Sequence, residues 1–277
     1  MPTDSHALTD SRQALTDSHV HLDLDEFAGD LSAVLARSRA VGVGRWIVPA
    51  IASRHWDRLA ALHAAQPGVF YALGLHPWFL AEESPQALET LACWLAARPE
   101  GLVAIGECGL DGAIALPLAE QLPWFERHLQ LACELKLPLI VHCRRCYNEV
   151  LALLARYRPP AGGVLHGFAG SRQQGEQLWA LGFRLGVGGV ISYERAQKTR
   201  RAVAQLPVQA LLLETDGPSM PLAGAQGERN EPWRVSEVLA ILAQLRQQPV
   251  EVLMPQLEAN VEALFFRDRS AWNGGIA

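Results

Sequence analysis

Leu139-Ile140-Val141-His142 is a run of three branched apolar residues ended by a histidine. Opened by Pro138 and too short for a helix, it reads as a β-strand buried on both faces, the kind that parallel sheets use. The same unit recurs along the chain at Trp46-Ile47-Val48, Tyr71-Ala72-Leu73, Val103-Ala104-Ile105, Val164-Leu165, Leu185-Gly186-Val187 and Leu211-Leu212-Leu213, with Leu15 to Val20 as a first, shorter stretch. Between the runs, apolar residues fall at helical spacing: Leu31, Val34 and Leu35; Leu122, Phe125, Leu129 and Cys133; Val235, Val238, Leu239, Leu242 and Leu245. Breakers agree, with Ser84-Pro85 starting a helix and Arg158-Pro159-Pro160-Ala161-Gly162-Gly163 forming a loop. Eight strand–helix repeats at a pitch of roughly 20 to 35 residues predict an α/β protein, a closed (β/α)8 TIM barrel in one domain with a distorted or extra C-terminal helix. An open doubly wound sheet is the architectural alternative. The barrel is expected over residues 15–268, between tails at 1–14 and 269–277. Thr3-Asp4-Ser5-His6 echoes Thr16-Asp17-Ser18-His19 and is assigned to the first tail, with His6 outside the core.

Composition limits the function classes. The 277 residues are 49% hydrophobic and 19% charged, with five cysteines, which excludes collagen, coiled coil, disulfide scaffold and disordered tail. No apolar stretch reaches membrane-spanning length and the polar N-terminus has no signal-peptide core. An odd number of cysteines gives no framework of pairs and fits a reducing compartment, so the cytoplasm is expected, with no membrane partner. A formal net charge of -5 argues against bulk electrostatic capture of nucleic acid; a polyanion would be held locally, by metal ions or a few arginines.

The polar ligand types collect at strand ends. His19 and His21 are one residue apart, so an extended segment presents both on one face. His76 follows the third run, Glu107 and Asp111 the fourth, His142 the fifth, His166 the sixth, and Glu214 and Asp216 the last. Singly, each is an ordinary hydrogen-bonded histidine or capping acid. In a parallel barrel, however, all C-terminal strand ends converge on one mouth, and structural residues have no reason to repeat in that register. A ligand set of four of these imidazoles and two of these carboxylates suits Zn²⁺ or another first-row divalent ion. It suffices for two ions if Glu107 bridges them, which describes a hydrolase site.

Asp17-Ser18-His19-Val20-His21-Leu22-Asp23, Gly74-Leu75-His76-Pro77-Trp78, Gly106-Glu107-Cys108-Gly109-Leu110-Asp111, His142-Cys143-Arg144, His166-Gly167-Phe168-Ala169-Gly170-Ser171 and Glu214-Thr215-Asp216-Gly217-Pro218 resemble the successive signatures of the TatD family of metal-dependent deoxyribonucleases, amidohydrolase-like barrels. The likeness runs from about Asp17 to Phe265 and includes Arg229-Asn230-Glu231-Pro232 and Asn260. It implies a cytoplasmic divalent-metal phosphodiesterase on DNA, often exonucleolytic, using two ions (Zn, Mg or Mn). His19, His21 and Asp216 would hold one ion, His142 and His166 the second, with Glu107 shared. His76 would meet the substrate's phosphate, and Asp216 would take the proton of the attacking water. The chain departs from the family at Gly112-Ala113-Ile114-Ala115, which lacks the usual aromatic residues, at Cys143 in place of Ser, and in Gly217-Pro218-Ser219-Met220.

Arg195, Lys198, Arg200 and Arg201 follow the seventh strand, as a phosphate contact or a solvated face. Arg144 follows His142 and is expected to meet substrate. Cys143-Arg144-Arg145-Cys146 has the spacing of a redox pair, but His142 accounts for this strand tip without one. Trp78 and Phe79 could stack a base or fill the barrel end. DNA is the expected partner, and no obligate protein partner is evident. A metal-dependent amide or ester hydrolase, such as a deaminase or lactonase, is the competing activity, and a non-catalytic metal scaffold the third reading.

Overall fold

The computed structural model describes residues 14–267; the expected tails lie almost wholly outside them, His6 included. Eight parallel strands form one sheet in sequential order. They are β1 (Leu15–Asp17), β2 (Val43–Pro49), β3 (Val69–Leu73), β4 (Leu102–Asp111), β5 (Leu139–Arg144), β6 (Gly163–Leu165), β7 (Phe183–Val187) and β8 (Leu211–Leu213). Helices alternate with them: α1 (Asp25–Ala28), α2 (Leu31–Ala40), α3 (Trp56–Ala65), α4 (Ala87–Ala97), α5 (Leu118–Leu135), α6 (Tyr147–Tyr157), α7 (Arg172–Ala180), α8 (Gln197–Gln205), α9 (Val235–Arg246) and α10 (Val250–Val261). The Ser18 N–H donates to Leu213 O at 2.9 Å, joining the first strand to the last. The architecture is therefore the (β/α)8 barrel, not an open sheet.

Each apolar run lies in one strand, because a strand enclosed by helices outside and side chains inside has no polar face. Two apolar layers result. Helix faces such as Phe125, Leu129 and Ala132 of α5 pack on the outside of the sheet. A smaller inner cluster takes Ile47, Ala72, Ala104, Ile140, Val164 and Leu212 from six strands and closes against Val261, Leu264 and Phe265. The expected extra C-terminal helix is thus α10, continued by a π-helical turn at Glu262–Phe266, and it plugs the N-terminal end. Glu258 of α10 accepts from the N–H and hydroxyl of Thr16 at 2.8 and 2.7 Å and pairs with buried Arg45 at 2.7 Å. Asn260 donates to Val208 O and Leu211 O, which fixes the plug across the β8–β1 seam. With that end sealed, the opposite mouth is left for chemistry.

Two strands differ from expectation. The first ends at Asp17 rather than Val20, because the buried Asp17 carboxylate accepts from the Thr215 N–H at 3.0 Å and the Thr215 hydroxyl at 2.5 Å. Beyond it, the backbone is shared between both neighbours: the Ser18 N–H donates to Leu213 O of β8 at 2.9 Å and the Val20 N–H to Ile47 O of β2 at 3.2 Å. The fourth extends to Asp111, with a register irregularity between Ile105 and Cys108. Gly109 permits this approach: at φ 143, a Cβ there would meet His142 O at 2.1 Å.

Candidate metal centre

His19, His21, His76, Glu107, His142, His166 and Asp216 converge on the mouth, from the C-terminal half of a strand or the loop that follows it. Glu107 is the hub, 1% exposed, and its two oxygens face different partners. Oε2 is 3.2 Å from His19 Nε2 and 3.6 Å from His21 Nε2. Oε1 is 2.7 Å from His166 Nε2, 3.1 Å from His142 Nδ1 and 3.3 Å from His76 Nε2. Asp216 Oδ1 is 3.6 Å from both His19 and His21 Nε2, which are 3.3 Å apart. A tetrahedral centre with bonds of about 2.0 to 2.1 Å separates its ligand atoms by roughly 3.3 Å. The His19, His21, Glu107 and Asp216 atoms thus have the spacing of a ligand shell, and His142, His166 and the other Glu107 oxygen form part of a second.

Tautomers assigned from the hydrogen bonds sharpen the roles. His21 Nδ1 faces Pro49 O at 3.3 Å, so its proton lies there and Nε2 offers a lone pair to the site. His142 Nε2 faces Asp111 Oδ2 at 3.1 Å, leaving Nδ1 as the lone-pair atom beside Glu107. A lone pair 3.1 Å from a carboxylate oxygen is repelled unless a proton or a metal ion lies between them. His76 differs. Its Nδ1 accepts the Trp78 N–H at 3.1 Å, so Nε2 carries the proton. It points into the mouth as a donor and is unsuited to ligation, although its position beside Glu107 and His142 would permit it.

Electrostatics accords with a cation site. Burial and the charge of His166 push His19 down to about 4, which keeps it a neutral donor. Burial would lower His166 too, but the Glu107 charge overrides it and holds the imidazole up at about 10. For His21, burial is outweighed by Asp216 and Glu107, and the value is about 9. Glu107 itself is held well below its ordinary value: burial opposes ionisation, but His166, His76 and His19 more than compensate. Protons on His21 and His166 occupy places that a divalent ion would take, so ion binding would release them.

Asp111 and Glu214 are the carboxylates whose part the motifs alone did not assign. Asp111 is fully buried; besides His142 it accepts from the Trp78 indole N–H at 2.6 Å and the Ala113 N–H at 2.8 Å, and it orients the ring. Its parity was a usable signal, since residues 107 and 111 share a strand face. Glu214 is buried between His166 and the Gly167 N–H, which it accepts at 2.5 Å. Gly186 makes its room, since a Cβ there would lie 2.0 Å from Glu214 Oε2.

The cationic residues stand at the rim. Arg144 is half exposed, with Nη1 3.9 Å from Asp111 Oδ2. Arg195 is exposed and lies over the Tyr193 ring at 4.7 Å, while the Tyr193 hydroxyl donates to Pro221 O in the loop after Asp216. Lys198 is exposed in the first turn of α8. Cys143 and Cys146 are free thiols with sulfurs 3.9 Å apart.

His128, on α5, supports the His76 loop from behind. Its Nδ1–H donates to Trp124 O at 2.7 Å and its Nε2 accepts the Leu75 N–H at 3.2 Å. Burial holds this imidazole down at about 4. The unfolded chain binds the proton near pH 6.5 and the folded one does not, so stability is full above that pH and is lost as pH falls toward 4. A gap of that size corresponds to about 3 kcal/mol. His128→Gln should therefore lose less unfolding free energy than the wild type between pH 7 and pH 4.5, measured by urea denaturation; parallel curves would contradict a neutral buried ring.

The sequence model of the family described as TatD related DNase matches residues 16–266. The chain belongs to the TatD family. It is 43% identical over 250 residues to the uncharacterized metal-dependent hydrolase YjjV of Escherichia coli (strain K12), covering 90% of this chain and 96% of that protein. It is 35% identical over 260 residues to a protein of Pantoea vagans (strain C9-1) named 3'-5' ssDNA/RNA exonuclease TatD, covering 90% and 98%. The crystal structure of YjjV, a TatD homologue from Escherichia coli K12, superposes with a TM-score of 0.89 at 42% identity, covering 92% of this chain and 98% of that one. A TatD-family metal-dependent hydrolase is the activity these relatives support. Among the described residues, no helix is long and apolar enough to cross a membrane.

Proposed function

We propose that this metal-dependent hydrolase is a phosphodiesterase that trims DNA from an end, working with two divalent ions (Zn, Mg or Mn) in the cytoplasm. The division of Glu107 carries the reading: one buried carboxylate turns one oxygen to His19 and His21 and the other to His142 and His166. The name of the Pantoea relative supports the polymer and the end-directed attack. His19, His21, Asp216 and Glu107 would hold one ion, and His142, His166 and Glu107 the other. Bound there, two ions would bring a water's pKa toward neutrality and offset charge on the attacked phosphorus centre.

The chain's own groups do the rest. Asp216 is 20% exposed in its side chain against 2% for Glu107, so it is the carboxylate that an incoming water can reach. We assign it the water's proton. Its left-handed backbone, φ 59, is fixed by its N–H donating to His19 O at 2.9 Å, which aims the carboxylate inward. His76 Nε2–H is the donor for a phosphate oxygen, since its proton is set by Trp78. Asp111 holds His142 in the tautomer that leaves Nδ1 free. Arg144, Arg195 and Lys198 would grip neighbouring phosphates from the rim.

Amide or lactone hydrolysis is the second reading. It is disfavoured because many cyclic-amidase relatives bridge their ions through a lysine of the fourth strand, and here that tip is Glu107. A panel of single-stranded DNA, duplex DNA, RNA, a phosphodiester dye, cyclic amides and lactones, run on metal-analysed protein, decides between them. Turnover confined to amides or lactones would overturn the nuclease assignment. For the rim, Arg195→Ala and Lys198→Ala should each raise KM on DNA and flatten its dependence on log salt by roughly one unit. An unchanged slope in both would remove them from the phosphate path.

A further inference from the structure

Trp78 is 53% exposed, yet its ring is not free to turn. Its indole N–H donates to Asp111 Oδ2 at 2.6 Å, and Asp111 is itself fully buried. The plane is held edge-to-face at 5.4 Å from the His76 ring and 6.5 Å from the His142 ring. The same Asp111 oxygen faces His142 Nε2 at 3.1 Å. One acceptor atom thus joins a solvent-facing indole to a metal-site imidazole. Among the described residues, the exposed large apolar side chains are Val41, Trp78, Met220 and Val252. Val41 precedes β2 and Val252 lies on α10, at the sealed end, whereas Trp78 and Met220 are carried by loops of the mouth.

A solvent-facing indole placed there needs an explanation. Its N–H would find water anywhere on the surface, and burying the ring would gain apolar contact. Pinning the N–H inward and leaving the face outward presents a fixed flat surface beside the reacting centre. Such a face suits an aromatic ring, and the ring that accompanies a phosphodiester is a nucleobase. A base within a duplex has both faces covered by its neighbours; a base at an unpaired end does not. We propose that Trp78 has a double role at this site: its outer face stacks the terminal unpaired base of the substrate strand, and its N–H, through Asp111, fixes the angle at which His142 presents Nδ1. The first half rests on the phosphodiesterase reading, and the second does not.

Two substitutions separate the halves. Trp78→Phe keeps a ring face and deletes the N–H; Trp78→Ala deletes both. The side chain is on the surface, so both variants should melt as the wild type does, which circular dichroism checks. In Zn²⁺ competition titrations against a chromophoric chelator, both variants should hold the more weakly bound ion roughly 10- to 100-fold less tightly, as when a partner behind a ligand is removed. Wild-type affinity in both would overturn the positioning half. For recognition, KM is compared on a single-stranded oligonucleotide and on the same strand with an abasic residue at the attacked end. The wild type and Trp78→Phe should show a KM roughly ten-fold higher or more on the abasic strand, and Trp78→Ala should not distinguish the two. Discrimination retained by Trp78→Ala would overturn the stacking half. A wild type that cleaves neither strand would remove the stacking assignment together with the nuclease reading, while the zinc titration still decides the coupling to His142.

Discussion

Glu107→Gln is expected to abolish divalent-dependent hydrolysis, lowering kcat/KM by roughly a thousand-fold or more, and to reduce bound metal to one ion or less per chain. The amide fills the same space and keeps an oxygen acceptor, but it carries no charge and only one oxygen. The hub now stands against five imidazole nitrogens at 2.7 to 3.6 Å, with one oxygen turned toward each set. An amide would have to turn its NH₂ toward one set of lone pairs, so one ion loses its ligand outright and the other loses a charge. Because the side chain lies at the mouth and outside both apolar layers, cooperative unfolding should persist. Metal content by atomic spectroscopy beside steady-state rates checks this. Full activity in a cooperatively folded variant would remove Glu107 from the shared position.

Asp216→Asn should be nearly as severe in rate but different in kind. Asp216 stands against the His19 and His21 side, 3.6 Å from each Nε2. The ion on the His142 and His166 side should therefore remain, and the fall, roughly 100- to 1,000-fold, should appear in kcat. The acidic limb of the kcat profile, set by a carboxylate held below its usual range, should disappear with it. Burial works against that depression, but the His21 hydrogen bond and the His166 and His19 charges override it. A variant with the wild-type acidic limb would show that another group takes the proton.

Most of the barrel was legible because enclosed parallel strands are spelled as uninterrupted apolar runs, and the seven runs from Trp46-Ile47-Val48 to Leu211-Leu212-Leu213 each lie in one of the observed strands. Their lengths were not legible. β1 stops at Asp17, whose side-chain carboxylate is buried against the N–H and hydroxyl of Thr215, 198 residues away. The cluster of imidazoles and carboxylates was readable from strand-end positions, since convergence at the mouth follows from topology alone. What escaped were contacts between loops and neighbouring strands. That Asp111 holds both Trp78 and His142 depends on how β4 continues past its irregular register to lie beside β5. That His76 is a donor depends on a backbone N–H two residues later, which fixes its tautomer. Parity along β4 placed Asp111 on the face of Glu107, but nothing local says which imidazole it would meet.

Anomalous diffraction from crystals grown with Zn²⁺ or Mn²⁺ measures the shared position most directly. Two peaks about 3.5 to 4 Å apart, one against His19, His21 and Asp216, the other against His142 and His166, each within bonding distance of a different Glu107 oxygen, are the predicted result. A single peak, or a pair with Glu107 bound to neither or to one alone, would contradict it.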